Sequence, residues 1–400
     1  MSDDASAIRE RAAAVREAGA TLRTATTDER ASWLADSAHR LLREVASRSA
    51  ALAESTGLSA PMVSWAARTT LRTVDAQALS RLASQAQQSG SDPIAMLSVI
   101  LAGNVFTASV RGIVVPLLLG VPVLVKSSSR ETLFPAMLRD ALHRTDPGLG
   151  AGMDLVVFPG GDREREAALV ESAEAVAVYG SDQTVASIAA RCGDKALIAH
   201  GHGVSAAYCG SHALSKARID RTVAAVSLDV CAYDQRGCLS PQVIYVEAAR
   251  DCPALEFAER LAAEGLEPLS QALPRGPLPA AVGAAQAQWR GVAEVEGTLI
   301  RGDTFAICVH DQGPIRWSPG YRNVSVVPTN GIGAAFDAMR PFAASLKCLG
   351  TDGASRAGVE DELARREAFQ AYACNLGQMQ APPLDAPADG RPIWYGLLEA

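Results

Sequence analysis

Up to about residue 90, apolar positions recur at helical spacing. In the run "ERASWLADSAHRLLREVASRSAALAEST", Trp33, Leu34, Ala38, Leu41, Leu42 and Val45 share one face of a helix. That texture predicts three or four helices, ending near "SGSDP", whose composition is that of a loop. The pattern then changes. "AMLSVILAGN", "GIVVPLLLGVPVLVKSSS", "MDLVVFPGG" and "AVAVYGSD" are apolar runs of strand length, each closed by Gly, Ser, Asn or Asp, and polar-faced helical stretches such as "RETLFPAMLRDALHR" and "REREAALVESA" lie between them. Strand, loop and helix in repetition predict a parallel sheet with helices on both faces. Such sheets bind ligands at the carboxyl ends of their strands, where these Gly, Asn and Ser residues fall. No G-x-G-x-x-G is present.

A second alternation begins near residue 225. "PQVIYVEAA", "FAICVHD" and "NVSVVPT" read as strands, "ALEFAERLAAEGLEPL" as a helix, and "GAAFDAMRPFAASLKCLGTDG" as a helix–strand return. The tail "APPLDAPADGRP" is too rich in proline for a regular element, and no internal repeat is found. The fold class expected is α/β, with two parallel-sheet domains behind a helical N-terminal region.

Composition narrows the function classes. The chain has 400 residues, 48% of them hydrophobic and 20% charged, with mean hydropathy +0.08, as in an ordinary soluble globular protein of more than one domain. A net charge of −7 gives no broad footprint for nucleic acid. The apolar region from Ile94 to Val125 is interrupted by Asn104, Arg111, Pro116 and Pro122, so no membrane span is expected. The N-terminus lacks the apolar core of a secretory signal. Eight cysteines without a C-x-x-C pair read as free thiols in a reducing cytoplasm. No metal site is expected, because His200 and His202 have no cysteine partner at zinc spacing. The basic residues are 33 Arg and only 4 Lys, which fits a GC-rich genome and makes each lysine worth attention.

Five places could carry chemistry. Cys238 in "DQRGCLSPQ" follows polar or flexible residues and precedes a Leu-Ser-Pro turn, unlike Cys308 inside the apolar "TFAICVH". It is either a presented nucleophile, with Arg236 as a charge partner, or a loop thiol, and Cys231 is its rival. Asn104 in "AGNVFTASVRG" either donates to a developing oxyanion or caps a helix. Lys126 with Ser127, Ser128 and Ser129 suits an anion at a helix start, or is a solvated lysine before capping serines. Gly160 in "VFPGGDRE", and Gly180 with Ser181 in "VYGSDQT", mark turns that could pass under a cofactor. His200 and His202 in "IAHGHGVSAAYCG" are either acid–base groups or parts of a polar loop.

The order of these pieces resembles the aldehyde dehydrogenase superfamily: G-N, V-K-S, P-G-G, Y-G-S, a Gly-rich loop, then the cysteine. Within it, "GNVF", "VLVKSSS", "YGSD", "DQRGCLSPQ", "YRNVSVV" and the C-terminal end are most similar to the acyl-CoA reductase family of the bacterial bioluminescence operon, over residues 90–400. The resemblance implies a helical region at 1–90, a nicotinamide-cofactor domain at 91–225, a catalytic domain at 226–345 and a return and tail at 346–400. It implies that Cys238 attacks an acyl thioester, from acyl-CoA or an acyl-carrier protein, and that a nicotinamide hydride then releases an aldehyde. Asn104 and the Cys238 N–H would hold the oxyanion, Lys126, Ser127 and Ser128 the adenosine ribose, and Gly160, Gly180 and Ser181 would border the cofactor. Where aldehyde-oxidising relatives carry a water-activating glutamate this sequence has His200, which fits reduction better than oxidation and leaves the histidine's own role open. The serines after Lys126 bring no carboxylate against a 2′-phosphate and Arg130 could assist, so NADPH is expected, although Glu131 is not far along the chain. Phe106, Val110 and Leu117 to Leu119 are either an acyl tunnel or core. A homo-oligomer is implied by family habit. The competing readings are an acyl-phosphate reductase, a cysteine acyltransferase or thioesterase without nicotinamide, and a non-catalytic scaffold.

Overall fold

A computed structural model describes residues 3–248, 252–310 and 317–399. The first stretch forms four helices, α1 (Ala5–Thr24), α2 (Thr27–Thr56), α3 (Ala60–Leu71) and α4 (Ala76–Gln87). Each starts where a side chain accepts an otherwise unpaired N–H: Asp4, Thr26 in a capping box with Glu29, Ser59 and Asp75. Helix α2 stops at Gly57, whose φ of 66° suits glycine.

Five parallel strands follow: β1 (Leu97–Ile100), β2 (Val123–Lys126), β3 (Met153–Val156), β4 (Ala175–Tyr179) and β5 (Ala196–His200), in the order β3-β2-β1-β4-β5. The helices between them are α5 (Ala108–Leu118), α6 (Leu133–Thr145), α7 (Pro147–Ala151), α8 (Arg163–Glu171) and α9 (Asp182–Cys192). Side chains alternate across the sheet. Leu97, Val99, Val123 and Val125 pack with α2, α5 and α6, whereas Ile100, Leu124, Val176 and Val178 pack with α1, α8 and α9. The N-terminal helices are therefore covering layers of the first sheet. The run read as strand-like from Gly112 to Leu119 is largely the helix α5, buried on all sides. A fully buried helix loses the polar stripe that would have identified it.

The second sheet has seven strands, in the order β12-β11-β6-β7-β10-β9-β8. They are β6 (Val204–Cys209), β7 (Pro241–Glu247), β8 (Gly297–Arg301), β9 (Ala306–His310), β10 (Asn323–Thr329), β11 (Leu346–Thr351) and β12 (Tyr372–Asn375). All neighbours are parallel except β8 and β9. Strand β6 and helix α10 (Ile219–Cys231) belong to this sheet and its core, so the chain crosses between sheets after His200, ahead of the boundary expected at 225/226. Strands β11 and β12, expected in a separate return, complete the same sheet. Both halves alternate strand and helix, so local pattern cannot show which sheet a strand joins. The tail runs back to the first sheet, where the Ile94 N–H donates to the Leu397 carbonyl at 3.1 Å and the Glu399 N–H to Asp92 at 2.8 Å. Among the described residues no helix is long and apolar enough to cross a membrane.

Candidate active site

Cys238 stands between the two sheets, on the connection from α10 to β7. Three residues before it, Tyr233, Asp234 and Gln235, have φ of 52°, 54° and 57°, in the left-handed region that non-glycine residues rarely occupy. Their side chains hold them there. The Tyr233 hydroxyl pairs with Thr107 at 2.6 Å and Thr70 at 3.2 Å. Asp234 accepts from Arg322 at 2.7 Å and from the Gly276 N–H at 2.9 Å. The Gln235 amide donates to the carbonyls of Pro241 and Asn323, each at 2.8 Å. Arg236 donates to the Thr56 carbonyl at 2.9 Å. At Gly237 an added Cβ would lie 3.2 Å from Val105 and 3.4 Å from Gln380, so the turn passes close beneath both.

The two candidate thiols differ in their surroundings. Cys231 is fully buried at the end of α10, and burial pushes its thiol up to about 11. Cys238 is exposed, whereas the other seven cysteines are buried. Protein nevertheless crowds its sulfur, and that desolvation pushes the thiol above its ordinary value, against the opposing pull of Lys347 and of its own backbone N–H. Crowding and exposure point in different directions here. Accessibility governs whether a substrate can reach the sulfur, and Cys238 is accessible.

Asn104 comes to the same turn. Its Nδ2 donates to the Arg236 carbonyl at 3.1 Å, two residues from Cys238. Helix α5 begins at Ala108 after Thr107, so Asn104 is not its cap. On the other side, Ser205 of β6 donates to the Cys238 carbonyl at 2.7 Å and accepts from the Cys348 N–H at 3.1 Å, tying β6, the turn and β11 together. Pro241 opens a strand, so no helix N-terminus faces the sulfur from that direction.

His200 ends β5 and is separated from the thiol by other charges. Its ring stacks on Tyr179, centroids 4.4 Å apart, and its Nδ1 lies 3.4 Å from Asp389. Asp389 also receives the Lys347 ammonium. Burial works to raise the Asp389 carboxyl, but hydrogen bonds from His200 and Lys347 outweigh it and hold the group below its ordinary value. His202 is exposed, and its N–H donates to Asp182 at 2.8 Å.

The remaining candidates line the carboxyl ends of neighbouring strands. Lys126, at the end of β2, is buried and lies 5.3 Å from the Phe158 ring centroid, and burial lowers its ammonium. Ser127 is buried with no partner for its hydroxyl. Ser128 accepts from the Arg130 N–H at 3.3 Å and lies against Gly103, where an added Cβ would meet its hydroxyl at 2.5 Å. Nothing crowds Gly160 or Gly161. Gly180 packs on Thr184, and the Ser181 hydroxyl caps α9 through the Thr184 N–H at 3.2 Å. An unpaired buried hydroxyl, a desolvated lysine and open space over two glycines fit a ligand carrying ribose and phosphates. Glu131 is turned inward, accepting from the Phe134 N–H at 2.8 Å at the start of α6.

Phe106, Val110 and Leu117 to Leu119 pack in the core of the first domain. A cavity of about 50 Å³ lies between α5 and the tail, bordered by Gly112, Val115, Tyr179, His200, Asp389 and Tyr395. A wider depression of about 580 Å³ opens at the amino end of β3, beside Arg139, Asp140 and Asp154. That is the wrong end of a parallel sheet for its ligand. Lys347, Asp389, Arg322 and Asp234 escaped the sequence reading. For Lys347 the scarcity of lysine was the available signal.

The acyl-CoA reductase (LuxC) family profile matches residues 79–391, and the chain belongs to that family. No curated protein matches it in sequence. In structure it is similar to aldehyde dehydrogenase 21 from Physcomitrella patens in complex with the reaction product succinate, at 16% identity and TM-score 0.74, over 100% of this chain and 90% of that one. It is also similar to an aldehyde dehydrogenase from Brucella melitensis, at 16% and 0.72 over 94% and 82%. A third is an NAD-dependent benzaldehyde dehydrogenase from Corynebacterium glutamicum, at 13% and 0.72 over 96% and 88%. The fold is thus that of aldehyde dehydrogenases, and the family is one of oxidoreductases acting at the aldehyde level.

Proposed function

We propose, from that family membership, that this protein reduces an acyl thioester to an aldehyde through an acyl group carried on Cys238. The observation that supports this most directly is an exposed thiol on a turn held by buried side chains, with the Asn104 amide at its edge. Cys238 Sγ bonds to the thioester carbonyl carbon, the carbonyl pair moves to oxygen, and its return expels the donor as a thiolate, which takes up a proton. Asn104 Nδ2, released from the Arg236 carbonyl, and the Cys238 N–H stabilise the oxyanion. A bound nicotinamide would supply the hydride, two electrons that convert the acyl group to the aldehyde level. As the carbon–sulfur bond breaks, aldehyde leaves and the Cys238 thiolate returns.

Lys126, Ser127 and Ser128 suit the adenosine ribose, and Gly160, Gly180 and Ser181 the borders of the cofactor. NADPH is favoured over NADH, because Glu131 is engaged with the backbone of α6 while Arg130 is exposed beside the serines. His200, paired with Asp389, brings no carboxylate of its own to activate water against the acyl-enzyme. The donor is acyl-CoA or an acyl-carrier protein. Eight free thiols suit a reducing cytoplasm, and a homo-oligomer is in keeping with the family.

Intact-protein mass spectrometry with acyl-CoAs of graded length, with and without NADPH, tests this reading. An acyl adduct on Cys238 that disappears only when NADPH is added, together with its loss in Cys238→Ala and its retention in Cys231→Ala, is the expected result. Full aldehyde formation by Cys238→Ala would overturn it.

A further inference from the structure

Two buried thiols meet against Leu239, the residue that follows Cys238. Cys348 on β11 and Cys374 on β12 have their sulfurs 3.3 Å apart, and neither residue is more than 7% exposed. Strand register explains the approach. Cys348 pairs with Tyr372 and Gly350 with Cys374, so these four residues share one face of the sheet. Gly350, opposite Cys374, adds no side chain there, and Met379 fills the space, its Sδ 2.6 Å from where a Cβ would stand. Strand β12 is the edge of the sheet and four residues long, so it opens before the central strands do.

We propose that Cys348 and Cys374 are a dithiol–disulfide site, closed by exchange with an oxidising disulfide, and that closing it slows acylation of Cys238. One protein thiolate attacks the oxidant's disulfide and expels one of its sulfurs; the second protein thiolate then displaces the other. The pair gives up two electrons and two protons and gains one S–S bond, and the oxidant leaves as thiols. Going from a contact of 3.3 Å to a bond of about 2.05 Å takes about 1.3 Å of sulfur movement. Burial holds the Cys348 thiol well above its ordinary value, so exchange waits on the opening of β12. In a reducing compartment such bonds are transient and report the redox state. Cys348 also supports the nucleophile's turn. Its N–H donates to the Ser205 hydroxyl at 3.1 Å, Ser205 donates to the Cys238 carbonyl at 2.7 Å, and Leu239 packs on the thiols and Met379. Drawing the sulfurs together shifts both supports. The effect on acylation rests on Cys238 as the nucleophile; the bond itself does not.

The test uses a cyclic disulfide, oxidised lipoamide, because it separates a pair of thiols from a single one. On a lone thiol such as Cys238 the mixed disulfide is undone when the released sulfur recloses the ring, whereas a neighbouring thiol captures it. The full chain is incubated with oxidised lipoamide, its remaining thiols are blocked with N-ethylmaleimide on unfolding, and its peptides are mapped by mass spectrometry. The parent should yield a linked Cys348–Cys374 peptide lacking two hydrogens, reversed by dithiothreitol, while Cys374→Ser yields none. Freed of lipoamide, the linked protein should acylate at Cys238 from acyl-CoA about tenfold more slowly than the reduced protein, with the rate restored by dithiothreitol. Absence of the linked peptide, or the same mass loss in Cys374→Ser, overturns the site. Unchanged acylation in the linked protein overturns its coupling to the turn. The peptide is read without any acyl donor, so a reduced protein that fails to acylate counts against the nucleophile and not against the disulfide.

Discussion

Asn104 does two jobs in succession if it serves the reaction. It donates to the Arg236 carbonyl in the free protein, and it would donate to the oxyanion once a thioester is bound. Its replacement should then touch rate more than affinity. Asn104→Ala is expected to lower kcat by about 10²–10³, with little change in KM or melting temperature, as measured by single-turnover acylation and calorimetry. At this scale the sequence was informative wherever a residue broke a local pattern. Cys238 between glycine and a Leu-Ser-Pro turn, Asn104 in an apolar run and Lys126 at a strand end all did so. Lys347 sits in an ordinary strand and Asp389 in a Pro-rich tail, and neither breaks anything locally. Their meaning lies in a contact between them across 42 residues.

Two left-handed turns meet next to Cys238: Tyr233 to Gln235, and Gly320 to Arg322 with φ of 72°, 52° and 67°. Each non-glycine residue so placed costs roughly 1–3 kcal/mol, and the Asp234–Arg322 pair, wholly buried at 2.7 Å, joins one turn to the other. In the sequence, "DQRG" reads as polar and flexible. In the fold Asp234 and Gln235 are 1% and 3% exposed, the Asp234 carboxylate and the Gln235 amide nitrogen being paired inside while the Gln235 amide oxygen is left without a partner. Asp234→Asn leaves the Arg322 charge buried and should cost about 3–5 kcal/mol in urea unfolding, with slower acylation of Cys238. The double variant Asp234→Leu with Arg322→Leu should recover part of the stability, since the stranded charge is gone, but not the acylation rate. Recovery of both would mean that the pair does not shape the turn.

Across the whole molecule the C-terminal return is fastened by Asp229 of α10, whose carboxylate accepts the N–H groups of Gly377 at 2.6 Å and Met379 at 3.0 Å. Burial outweighs those two donors and pushes the carboxyl up to about 7 from 3.8. The unfolded chain therefore releases this proton at lower pH than the native state does. The site's contribution to stability is greatest below pH 4 and falls as pH rises to 7, by roughly 4 kcal/mol over the whole span. Asp229→Asn should flatten that slope, so urea midpoints measured at pH 4.5 and 8 should differ less in the variant than in the parent. Equal slopes would place the native titration near the ordinary aspartate value. The alternation of strand and helix, the four capped N-terminal helices and the order of the site motifs were determined by the sequence itself, because periodicity, capping and turn chemistry act over a few residues. Tertiary structure alone decided which sheet received β6, where the tail returned, and that Lys347, Asp389 and His200 would meet. Those outcomes depend on strand order and on the packing of segments far apart in the chain, and no local pattern of side chains carries that information.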